Sequence, residues 1–261
     1  MKAIFTSILA IICFVILVFG NVSWHAKVKD AGANATVYEE PSTEDRNQSK
    51  KPNTTEITKY ISNWSEQSAE VFKQRLASGE PFKIVLAGST EIENEQFSLK
   101  EALQSSIEKT FGNSIELSII TFDGTSSEFI AEGKEQDLID LKPDMIVFES
   151  LTLKDNGKVI IEDSHENIVA IMQAVTDDNP NASFILQPPP PLFSANFFPR
   201  QVEELKKFAE GNNIVYLDYW STFPAEDTAD RELYFTESQD TLNEDGYALW
   251  SGYVEDYLIS R

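Results

Sequence analysis

The residues best suited to chemistry sit where short apolar runs stop. "FKIVLAG" (82–88) is followed by Ser89 and Thr90, two hydroxyls on a turn that Gly88 permits. "IELSIITFDG" ends at Asp123 and Gly124, and "DMIVFES" ends at Glu149 and Ser150 and leads through "LTLKDNGK" to Asn156. A hydroxyl becomes a nucleophile when a base of suitable pKa stands beside it. The chain has two histidines. His25 falls in a polar N-terminal stretch, whereas His165, in "IIEDSHENIV", begins a helical segment after the third run and is the candidate base. Glu91, Asp123, Glu149 and Asp240 are the nearby carboxylates, and a carboxylate can take that role once burial raises its pKa. Each hydroxyl also has a structural use, since serine and threonine after a strand cap helices and turns.

These residues need a frame that brings strand ends together. The β-branched runs at 82–88, 115–124, 144–150, 183–191 and 213–220 alternate with segments of helical spacing, beginning with "ITKYISNWSEQSAEVFKQRLASG" and continuing over 98–111, 164–176, 199–210 and 243–260. Buried-looking strands separated by helices imply a parallel sheet covered on both faces. The expectation is therefore a three-layer αβα sandwich around a five-stranded parallel sheet, with any site at the carboxyl ends of the strands. No phosphate-cradling Gly-rich loop follows the first strand, so no nucleotide or flavin cofactor is expected.

Taken in order, the strand ends resemble the SGNH (GDSL-type) hydrolase family over most of 82–258. "IVLAGST" is similar to the block that carries the family's serine, "ITFDGTSS" to the second block with Gly124 in place, and "KPDMIVFESLTLKDN" to the third with Asn156 as its nearest asparagine. "TLNEDGYALW" resembles the tail of the closing motif. The resemblance implies a flavodoxin-like fold and an esterase or acyl-transfer site, with Ser89 or Thr90 as nucleophile and Gly124 and Asn156 at the oxyanion. The departures fall on the acid–base pair. Aligning Asn243, Gly246 and Tyr247 with the family's Asn-x-x-Gly-Tyr puts Thr241 at the histidine position and Ser238 at the aspartate position. A threonine hydroxyl cannot accept the nucleophile's proton. Two readings follow. One is an enzyme using His165 or a buried carboxylate as base. The other is a catalytically inactive SGNH-fold protein that binds a cell-wall polymer, sugar or protein. The aromatics of "LFSANFFPR" (192–200) and "LDYWSTF" (217–223) would give such a binder a rim for stacking sugars.

Composition narrows the partners. The formal net charge is −22, and because residues 1–20 carry one lysine and 21–55 balance, the whole acidic excess lies on 56–261. Such a surface repels nucleic acid and anionic lipid. The single cysteine, Cys13, lies in an 18-residue uncharged run after Lys2, so no disulfide or thiolate metal site is expected. That run is long enough for a signal peptide or an N-terminal membrane anchor. The expected organisation is 1–20 as signal or anchor, 21–54 as a disordered polar tether and 55–261 as the folded domain, outside the membrane or secreted. The expected partners are a small-molecule ester or envelope polysaccharide, with membrane contact through the N-terminus.

Overall fold

Successive side chains of a strand point to opposite faces, and in this chain both faces find apolar cover. The computed structural model describes residues 57–226, 228–239 and 241–261, so the expected segments 1–20 and 21–54 lie outside the described residues. Strands β1 (Phe82–Ser89), β2 (Ile115–Phe122), β3 (Met145–Glu149), β4 (Ser183–Gln187) and β5 (Val215–Tyr216) form one parallel sheet in the order β2-β1-β3-β4-β5. The helices are α1 (Glu66–Ser78), α2 (Leu99–Phe111), α3 (Ser126–Ala131), α4 (Glu135–Asp140), α5 (Thr152–Asp155), α6 (Ile161–Asp178), α7 (Phe198–Gly211), α8 (Ala229–Glu232) and α9 (Glu244–Leu258).

Ile84, Leu86, Met145 and Val147 join a core with α1, α2 and α9, while Val85, Ala87, Ile146 and Phe148 join a second core with α3, α4, α6 and α7. The architecture is the three-layer αβα sandwich with a five-stranded parallel sheet. Alternation between two apolar faces is why the strands read as continuous hydrophobic runs.

Two expected elements differ. The helical spacing from Ile57 to Leu76 is broken into a 3-10 turn (Thr58–Ile61) and α1, because Ser65 adopts an extended backbone and its side chain accepts from Ser68 N, 3.1 Å away, as an N-cap. The fifth strand is two residues long, since the chain turns into a 3-10 segment at Tyr219–Thr222.

The two ends of the domain meet. Ser260 N donates to Tyr60 O at 2.7 Å, Asn63 Nδ2 to Asp256 O at 2.8 Å and Trp64 Nε1 to Leu258 O at 3.2 Å. Trp64 also packs on Phe72 and Phe82, which ties this clasp to the core.

Candidate functional site at the carboxyl edge of the sheet

β1 is paired with β2 on one side and β3 on the other, so the crevice past its carboxyl end is a topological switch point. The first hydroxyl there builds the turn. Ser89 is fully buried, its Oγ accepts from Glu91 N at 3.2 Å, and its carbonyl accepts from Ile92 N at 3.3 Å. The second hydroxyl faces a cation. Thr90 is half-buried, and Lys154 Nζ donates to its Oγ1 at 3.3 Å and to Asp123 Oδ1 at 2.7 Å. Residues from the ends of β1 and β2 and from α5 thus converge. Asp123 is held below the usual carboxylate range by its hydrogen bond from Lys154, and burial pushes the neighbouring Glu91 up.

Lys154 is aimed by the residue that follows it. α5 has a single turn and no side-chain cap, so its placement comes from Asp155, which is buried. Asp155 accepts from Ser126 N and Ser126 Oγ, both at 2.7 Å, and from Ser164 Oγ at 2.6 Å. One carboxylate therefore joins α5 to the start of α3 and to α6. With Asp155 turned inward, Lys154 reaches the rim.

Behind the rim lies a second acid. Glu149, the last residue of β3, has no exposed surface, and its Oε2 accepts from Ser89 N at 2.5 Å. A Cβ at position 88 would come within 2.5 Å of that oxygen, so Gly88 is required by the carboxyl's approach. Burial pushes the Glu149 carboxyl up to about 8, against the lowering effect of the Ser89 hydrogen bonds. Among the described residues Glu149 Oε1, Gln187 Nε2 and Tyr219 Oη have no hydrogen-bond partner although buried. Gln187 pairs in register with Glu149, and Tyr219 is pushed up by burial and then by the Glu149 charge. Buried polar groups left unpaired are rare in folded proteins, and three in one neighbourhood mark this as a specialised interior.

The other expected site residues make different contacts. His165 stacks on Phe208 of α7, with ring centroids 4.4 Å apart and planes 17° apart, and burial lowers its pKa. Among the described residues no hydrogen bond joins it to Ser89 or Thr90. Gly124 lies at the end of β2, where a Cβ would meet the Phe122 ring at 2.5 Å, so the glycine there is explained by packing. Asn156 is exposed just past α5. Thr241 Oγ1 is 3.2 Å from Tyr247 Oη, and Ser238 Oγ is 3.1 Å from Thr236 Oγ1. Asp240 lies outside the described residues. Of the expected aromatic rim, Tyr219 and Phe198 are buried, stacked on Trp250 and packed on Trp220 respectively, and Phe197 remains as a largely exposed ring. Among the described residues no three His, Cys, Asp or Glu side chains gather to hold a metal ion.

The five-stranded parallel sheet with its flanking helices is matched by solved structures. A GDSL-like lipase from Bacteroides thetaiotaomicron superposes with a TM-score of 0.51 at 14% identity, covering 73% of this chain and 96% of its own. The fold is that of the SGNH (GDSL-type) hydrolases. A lipase from a goat rumen metagenome (TM-score 0.52, 10% identity, 67% of this chain and 97% of its own) and an acetyl xylan esterase (0.51, 14%, 66% and 97%) share this SGNH architecture. No family model and no curated protein matches the sequence. Within this fold the chain places Thr90 and Lys154 at the rim and leaves the histidine of the expected closing motif as Thr241.

Proposed function

We propose that this chain is an extracytoplasmic SGNH-fold protein that binds ester-bearing carbohydrate at the Thr90–Lys154–Asp123 rim and does not cleave it by the serine–histidine route. The observation that carries the reading is the partner of Thr90. A lysine ammonium is a donor only, so Lys154, beside Asp123, gives a hydrogen bond to Thr90 Oγ1 and cannot take its proton. Ser89, the other hydroxyl, is buried in the turn. The ligand class is supported by the acetyl xylan esterase among the structural neighbours and by the exposed Phe197 ring, a stacking surface after the carboxyl end of β4. The uncharged run at residues 3–20 supports a position outside the membrane.

The same contact favours a second reading, an esterase in which Thr90 Oγ1 attacks the ester carbon while the neighbouring Glu91 carboxylate takes its proton, Lys154 steadies the developing charge, the sugar alcohol leaves with that proton and water then releases acetate. Acetylated xylo-oligosaccharide incubated with the intact chain separates the two. Binding without acetate release is the expected result, and Lys154→Met weakens it about tenfold or more, the usual size for a charged hydrogen bond. Acetate release abolished by Thr90→Val would establish the second reading. Fluorophosphonate labelling abolished by Ser89→Ala would overturn both.

A further inference from the structure

The interior behind the rim is built around one acid. Glu149 closes three contacts at once: its Oε2 accepts from Ser89 N, its carboxyl lies against Gly88, and its register partner across the sheet is Gln187. Ser89 in turn shapes the turn through its hydroxyl and carbonyl, and Thr90 is the next residue. The Glu149 carboxyl therefore sets where Thr90 stands relative to Lys154.

We propose that Glu149 is a positioning residue whose uncharged carboxyl clamps the Ser89–Thr90 turn to the end of β3, and that loss of its proton to solvent releases the turn and weakens ligand capture at Thr90 and Lys154. The proposal rests on the binding function of that rim. Its neighbours explain why the neutral form is the one that fits. Glu91, from the loop after β1, adds like charge, and Tyr219, from the turn after β5, offers a phenol without a partner among the described residues. Gln187 Oε1 is already taken by Trp250 Nε1 at 2.9 Å. Lys154, whose charge favours the ionised form of Glu149, is hydrogen-bonded to Thr90 and Asp123. An ionised Glu149 would be a buried charge whose burial outweighs the hydrogen bonds from Ser89, with Ser89 N at 2.5 Å, a costly state that local rearrangement relieves. The carboxyl is raised to about 8, which puts this event just above neutral pH.

Hydrogen-exchange mass spectrometry on the intact chain, following residues 86–92 at pH 6.5 and 9 and corrected for intrinsic exchange, tests the clamp without any ligand. Protection should drop about tenfold with rising pH in the native protein and stay flat in Glu149→Gln, whose amide oxygen still accepts from Ser89 N but cannot ionise. Protection that is equally flat in both, or falls equally in both, overturns the proposal. Should Glu149→Gln fail to fold, infrared titration of the native protein decides: the protonated-carboxyl band must disappear over the pH range in which protection is lost, and loss without it sinks the clamp. Binding of acetylated xylo-oligosaccharide is measured at the same two pH values. A clamp that responds to pH while nothing binds at either value supports the positioning role and refutes the binding function.

Discussion

At the scale of single residues, the chemistry of this edge is decided by what each hydroxyl touches. Ser89, one of the two expected nucleophiles with Thr90, is enclosed and spends its oxygen on the backbone of Glu91. Lys154 gave no signal in the sequence, because its two partners lie 64 and 31 positions away and only the fold brings them together. Glu149 was visible as a carboxylate at a strand end, but its burial was not. That burial has a thermodynamic signature. The folded carboxyl is raised to about 8 from an ordinary 4.5, so between these values the unfolded chain binds fewer protons than the folded one. Its contribution to stability is complete below about pH 4.5 and is lost as pH climbs through 8. Urea unfolding from pH 4.5 to 9 should show a decline on the order of a few kcal/mol that Glu149→Gln lacks. A parallel decline in both proteins would show that the acid is ionised throughout.

At the scale of elements, the five strands and the long helices were legible because apolar periodicity and Ser, Asn and Gly caps mark them directly. Ser98 and Asn243, whose side chains accept from Glu101 N and Gly246 N, start α2 and α9 where expected. The short helices were not legible, since one turn has no period to read. α5 is the instructive case, because it is held by Asp155 and its three hydrogen bonds rather than by propensity. Asp155→Ala leaves Ser126 N, Ser126 Oγ and Ser164 Oγ without that acceptor, and a loss of about 2–4 kcal/mol in denaturant unfolding is expected. Ligand affinity in the folded Asp155→Ala protein should fall with it, as Lys154 loses its aim; unchanged affinity would show that α5 is positioned by other contacts. Gly246 belongs to the same scale. A Cβ there would run into the carbonyl of Tyr234, which explains why the Asn-x-x-Gly-Tyr frame persists in "NEDGY" although the histidine position before it is Thr241.

At the scale of the molecule, the acidic excess on residues 56–261 must be carried by one folded domain. Self-repulsion of that size is screened by salt. The melting temperature should therefore rise by a few degrees between about 10 mM and 500 mM sodium chloride, on the scale of 1 kcal/mol or so; a fall would mean that ion pairs such as Lys206–Asp218 outweigh the repulsion. The clasp between residues 60–64 and 256–260 acts on the same scale. A pulling force applied at residue 57 passes through those hydrogen bonds into the end of α9, and through Trp64 onto Phe72 and Phe82, so that it enters β1 at its amino end while the Thr90 rim lies past its carboxyl end.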